Sequence, residues 1–467
     1  MTGRVISMTI TRRLLIRKIG ALGAWLVLFS RLPVKMSLTG EAFAYPGTDS
    51  HTHARSPLGV ERDGKSRVFL VQGGSPERNM HKIIEMMGGI KRFIAPRDIV
   101  VIKPNAQRFH QGMTNTDAIK AFIDKVLEID GFAGEVIIAE NHQYQQDECC
   151  GWVTQERNGR FNLNELVEDY QRRGYPNVTK YHWHAAGPCS YPLQGNAQGN
   201  RRVSGPQDGD GYVWMQSEAY HSPAGRVCLM TYPIFTSSYS GIRIDLKNGA
   251  WKNGRYLNDR RVRFINFAAL NHHGRYAGVS ASVKNLMGVV DMTCGFPGDL
   301  FPETYNTHHI GVSRRISWLK YGHWRVRAYQ GRVRYLFEDF CYRNFHHTGG
   351  ALGHFMAHVR FPDLNIIAAE LVGWGDRRKL EKAFRPRALL ASTDPVALDY
   401  VAAKEILYPG TPVDAKEISG RSIRRLNDPD DEKGPFYKFL RETQCQGIGT
   451  IDPKKIVVLR SALSGNS

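Results

Sequence analysis

Ile99-Val100-Val101-Ile102 is an unbroken apolar run, and Thr116 to Ile129 follows it with Ile119, Phe122, Ile123, Val126 and Leu127 at helical spacing. Glu135-Val136-Ile137-Ile138-Ala139 then reads as a second apolar strand. A strand that is apolar at every position is buried on both faces, which is the signature of a parallel sheet covered by other layers. The stretch from 99 to 139 therefore predicts an α/β fold, with a mostly parallel sheet and helices on both of its faces. Thr114 or Asn115 is placed to cap the helix. Upstream, Val68 to Val71 reads as a strand and His81 to Arg92 as a helix whose inner face holds Ile83, Ile84, Met86 and Met87. Downstream, strands are expected at Arg226–Met230, Val262–Phe267, Leu364–Ala368, Ala388–Ala391 and Ile456–Leu459. Helices are expected from Val396 to Ile406 and around Phe436 to Glu442.

Two stretches interrupt this rhythm. Residues 141–224 are rich in Gly, Gln, Asn and Tyr, and residues 313–345 are strongly basic. Both are expected as irregular insertions in one α/β domain spanning 67–460, preceded by a polar linker at 45–66.

Residues 1–44 read as a twin-arginine signal peptide. Arg12-Arg13 precedes an uncharged run from Ile19 to Phe29, too short to span a bilayer comfortably. Ala42-Phe43-Ala44 offers a small-residue cleavage site, and Lys35 between core and site suits the twin-arginine route. The expected destination is the periplasm or cell envelope, with the twin-arginine translocase as partner during export. The formal net charge is +19. Such a balance favours anionic partners, either a small molecule or a membrane surface. Nucleic acid is not expected for an exported chain. The seven cysteines include adjacent Cys149 and Cys150, with Cys189 beyond them. A disulfide from Cys189 to one of the pair and unpaired core thiols both stay open. No CxxC spacing occurs, so a ferredoxin-type iron–sulfur cluster is not supported.

Candidate ligands lie where strands end. Lys103-Pro104-Asn105 closes the apolar strand, and ligands of open α/β sheets collect beyond such carboxyl ends. Lys103 could meet an anion there, and Asn105 could bond it or shape the turn. His272 and His273 follow the strand at 262–267, and Lys284-Asn285 stands among apolar neighbours where polar groups need partners. His273, with His272 beside it, is a candidate metal ligand or proton carrier. Asp394 is placed as a helix N-cap with Pro395 behind it, whereas Asp399 falls inside the helix and is the better functional candidate. The chain holds 17 His. Tyr181-His182-Trp183-His184, His308-His309 and His346-His347 are further histidine pairs. None of these has the helical His-x-x-x-His spacing with a carboxylate. Between Ser313 and Arg343, arginines and lysines interleave with Trp318, Tyr321, Trp324, Tyr329 and Tyr335, a pattern suited to a headgroup surface or a partner.

Taken together these motifs resemble the domain of unknown function 362 family. The matching residues are Ile102-Lys103-Pro104-Asn105, Thr114-Asn115-Thr116, Gly278-Val279-Ser280 and Lys284-Asn285-Leu286-Met287-Gly288. They continue with Asp363-Leu364-Asn365-Ile366-Ile367, Ser392-Thr393-Asp394-Pro395-Val396-Ala397-Leu398-Asp399 and Gly447-Ile448-Gly449-Thr450. The family often shows Leu-Lys-x-His before its Lys-Asn motif, and Leu270-Asn271-His272-His273 stands there. The resemblance implies an α/β fold and no assigned reaction; the iron–sulfur modules of some members do not carry over. The leading expectation is one strand-end cleft where Lys103, Asn105, His273, Lys284, Asn285 and Asp399 bind an anionic small molecule or metal, in a redox or metal-dependent enzyme. The alternative is a non-catalytic envelope protein docking through the basic aromatic segment.

Overall fold

The computed structural model describes residues 57–106, 110–141, 152–183, 202–225, 227–291, 303–304, 307, 310, 344–376, 379–417 and 419–464. The signal segment, the first part of the linker and the basic stretch from Ser313 to Arg343 lie outside the described residues. So do His308, His309 and the cysteines of the expected disulfide. Cys228 and Cys445 form no disulfide.

The strands are β1 (Ser66–Gln72), β2 (Ile99–Lys103), β3 (Glu135–Glu140), β4 (Val178–His182), β5 (Gly211–His221), β6 (Val227–Thr236), β7 (Arg243–Asp245) and β8 (Gly249–Lys252). They continue with β9 (Arg255–Tyr256), β10 (Val262–His273), β11 (Gly278–Ser280), β12 (Glu303–Thr304), β13 (Leu364–Gly373), β14 (Ala383–Phe384), β15 (Ala388–Ser392) and β16 (Ile456–Ala462). The main sheet runs β16-β1-β15-β13-β10-β2-β3-β4, with β11 and β14 added beside β10 and β13. Along that path only β15 runs against its neighbours. The reason is the link behind it: β13 turns back through β14 with no crossover helix, and a parallel return needs one.

The expected α/β fold is present, with helices on both faces of the main sheet and a second sheet added on one of them. Helices α1 (Pro76–Met86), α2 (Thr116–Leu127) and α3 (Leu163–Arg172) cover one face, sharing a core with Val71, Ile102 and Ile138. The other face is divided between helices and a second sheet. That sheet runs β12-β6-β7-β8-β9 with β5 against β6. The helices beside it are α4 (Gly274–Ala277), α5 (Ser282–Asn285), α6 (His347–His358), α7 (Pro395–Ala402) and α8 (Pro435–Gln444). Val101 and Ile137 share that core with Phe235, Ile244, Leu352 and Phe439. Among the described residues no helix is long and apolar enough to cross a membrane.

Local signals account for most boundaries. Asn115 caps α2 by accepting from the Ala118 N–H at 3.0 Å. α1 starts earlier than the apolar spacing indicated, because Ser75 caps it and Pro76 takes its first position. It also stops earlier, at Gly88 and Gly89, whose positive φ ends a helix. The stretch expected to be irregular at 141–224 contains α3, β4 and β5. Asn162 and Glu165 form a capping box there, and β4 is the edge strand of the main sheet.

Candidate functional site

A row of polar side chains crosses the buried interior of the main sheet. Lys103, Asn266, Asn365 and Ser392 stand in direct register on β2, β10, β13 and β15. The residues beside them along each strand, such as Ile102, Ile265, Phe267 and Ile366, point into the core beneath α1–α3. Alternation therefore sends the polar row to the opposite face, under α5. Lys103 is 1% exposed and Glu140, at the end of β3, is fully buried.

The row is satisfied from within. An ammonium has three hydrogens. Those of Lys103 go to Glu140 Oε1 at 2.6 Å, the Pro104 carbonyl at 2.7 Å and Asn285 Oδ1 at 2.8 Å. Asn285 Nδ2 donates to Asn266 Oδ1 at 2.8 Å, and Asn266 Nδ2 donates to Asn365 Oδ1 at 2.9 Å. Asp399 on α7 accepts the N–H groups of Ser282 at 2.7 Å and Val283 at 2.9 Å, so it caps α5. Burial pushes the Asp399 carboxyl up to about 8, against the pull of those two donors. Burial likewise pushes Lys103 down and Glu140 up, and their mutual attraction opposes both shifts. Gly288 seals this corner, since a Cβ there would lie 2.5 Å from both Lys103 Nζ and Glu140 Oε1.

Lys103, Asn285 and Asp399 thus belong to one network, and that network fastens α5 and α7 to the sheet. Lys103 has no hydrogen left for an external anion. Asn105 shapes a loop: its side chain donates to the Gly112 carbonyl at 2.6 Å and its N–H to Thr114 Oγ1 at 2.8 Å. Lys284 is buried with Nζ 3.4 Å from Met287 Sδ. His273 lies seven residues beyond Asn266 along β10, roughly 20 Å at strand spacing, and meets Ser280 Oγ at 3.2 Å. His272 is held by Asn427 Oδ1 at 2.6 Å and lies 3.5 Å from Glu417. The structure does not bring His272 or His273 to Lys103. Asp394 is the N-cap of α7, accepting from Val396 and Ala397. His182 stacks on Trp152, with centroids 5.5 Å apart. A surface cleft of about 560 Å³ opens between Tyr400, Asp430, Arg441 and Asp452, and none of these candidates lines it.

Two groups with metal-ligand chemistry gather on α6. In each, one ligand atom per residue lies within 4.8 Å of the others. The first is Glu218 from β5 with His354 and His358 of α6. Residues four apart share a helix face. His358 Nδ1 lies 3.2 Å from Glu218 Oε2, and the two imidazoles stack with centroids 4.1 Å apart. His354 Nδ1 faces Gln446 Oε1 at 3.3 Å, which leaves Nε2 as the other ring atom. That atom is buried without a hydrogen-bond partner. Burial lowers the His354 pKa, helped by the charges of His358 and His221 and opposed by Gln446 and Glu218. The second group is His346 and His347 with Glu442 of α8.

His354-Phe355-Met356-Ala357-His358 carries the helical spacing that the three adjacent or alternate pairs lack. The spacing was legible; the carboxylate was not, because it arrives from β5 in the stretch expected to be irregular.

The family model described as Domain of unknown function (DUF362) matches residues 260–404. That stretch runs from β10 through α7 and includes Asn266, Lys284, Asn285, Asn365, Asp399 and all of α6; Lys103, Glu218 and Glu442 fall outside it. No curated protein and no solved structure matches the chain.

Proposed function

We propose that the chain is an exported metal-binding protein that holds a late first-row divalent cation, of the zinc class, at Glu218, His354 and His358. The observation that carries this reading is the buried, partnerless Nε2 of His354, in a ring whose other nitrogen is already fixed by Gln446. A metal-ligating imidazole is normally held this way by its second nitrogen. Imidazole and carboxylate suit zinc and its neighbours better than calcium or magnesium. Three protein ligands leave a position for water or substrate, as catalytic zinc sites do and closed structural sites do not. The polar row of the main sheet is then the scaffold that holds α5 and α7 in place. Export through the twin-arginine route, to the periplasm or envelope, is part of the same proposal and rests on Arg12-Arg13 and the apolar run behind them.

Equilibrium titration of the metal-free protein with Zn²⁺ tests the site. His354→Gln is expected to weaken that binding by more than about 100-fold while leaving the far-ultraviolet circular dichroism unchanged. Wild-type affinity in a folded His354→Gln protein sinks the proposal.

A further inference from the structure

His346, His347 and Glu442 form a group that the site at Glu218 does not use. His347 and Glu442 are each less than a tenth exposed. His347 Nδ1 lies 3.2 Å from Glu442 Oε1, an ion-pair contact when the ring is protonated, and this buried nitrogen makes no hydrogen bond. The rings of His346 and His347 sit 4.3 Å apart. Two imidazoles and a carboxylate are therefore packed together inside the protein, with a ring nitrogen turned toward the carboxylate and not hydrogen-bonded. Buried polar atoms of this kind ordinarily find a partner.

Tyr220 on β5 joins the two groups. Its hydroxyl donates to Glu442 Oε2 at 3.2 Å, and its ring lies 6.1 Å from that of His354. Gly350 makes room, since a Cβ there would lie 2.1 Å from the Tyr220 hydroxyl. His347 and His354 are seven helical residues apart, about 10 Å.

We infer that α6 carries a second, buried metal site at His346, His347 and Glu442, for the same class of divalent cation, with Tyr220 as the positioning residue that orients its carboxylate. The inference rests on the proposed function only for the class of ion; the ligands are separate. The chain then holds two metals on one helix, one at the surface and one inside.

Cobalt is the probe, because Co²⁺ enters zinc-type sites and its visible absorption reports each site's geometry. Metal-free full-length protein is titrated with Co²⁺ as wild type, His347→Gln and His354→Gln. The expected result is two equivalents for wild type and one for each variant, with different residual spectra. A single wild-type equivalent that vanishes in His354→Gln and persists in His347→Gln overturns the inference and leaves the proposed function intact. A single equivalent with the reverse dependence supports the inference and removes the proposed function. No uptake at all removes both. His346→Gln, at a less buried ring, replaces His347→Gln if the latter does not fold. Tyr220→Phe is expected to weaken the buried site about tenfold with an unchanged melting temperature; unchanged affinity denies Tyr220 its role.

Discussion

At the scale of residues, the lysine that stood out in the sequence is unusual for a structural reason. Lys103 ends an apolar strand, and its three acceptors come from β3, its own turn and α5. Removing one partner of a buried pair leaves the other charge uncompensated. Lys103→Met is therefore expected to destabilise the fold by about 3–5 kcal/mol, measured as a shift in urea midpoint. Adding Glu140→Leu to that variant is expected to recover most of the loss; a single variant as stable as wild type would mean the pair holds nothing together. The sequence marks Asn285, with Lys284, as a polar group that needs a partner, and singles out Lys103 and Asp399 as candidates for an external ligand. It could not say that they find one another, because Glu140 and Asn266 enter only through strand register. His273 is expected in the same cleft as Lys103, and the length of β10 carries it away.

Among elements, α6 is decided by its glycines. Thr348-Gly349-Gly350-Ala351-Leu352-Gly353 gives the helix poor intrinsic propensity, at about 1 kcal/mol for each Gly against Ala. Close packing is what the glycines permit. A Cβ at Gly349 would lie 2.1 Å from the Phe439 carbonyl, and one at Gly353 would lie 2.8 Å from that of Thr443. Both neighbours belong to α8, which supplies Glu442 and leads into Gln446. Gly349→Ala is expected to push the two helices apart, costing about 1–3 kcal/mol in thermal unfolding. Zn²⁺ binding should weaken with it, since α8 positions groups at both histidine clusters. Retained affinity at wild-type stability would show that the helix contact does not set the ligand geometry. The apolar runs announced β1, β2, β3, β10, β13, β15 and β16 of the main sheet, but not its edge strand β4. The reversal of β15 and the second sheet stayed hidden: pairing direction depends on how the chain returns, which apolar spacing does not encode.

The whole molecule is strongly basic and is proposed to leave the cytoplasm folded. Changing Arg12 and Arg13 together to Lys, which keeps the charge and removes only the paired arginines, is expected to hold the protein in the cytoplasm. Fractionation followed by immunoblotting reads this directly, and undiminished export would end the twin-arginine assignment. The family match covers the middle of the chain, 260–404. The outer strands of the main sheet, β1, β2, β3, β4 and β16, and the carboxylates of both histidine clusters come from either side of it.

One feature of that sheet bears on how the protein is made. β1, the first strand to leave the ribosome, is flanked by β15 and β16, which are among the last. For almost the whole of synthesis both of its edges stay bare, and bare edges invite pairing with other chains. The sheet cannot close around β1 until translation is nearly complete, so synthesis itself is the interval in which the incomplete chain is most exposed to its neighbours.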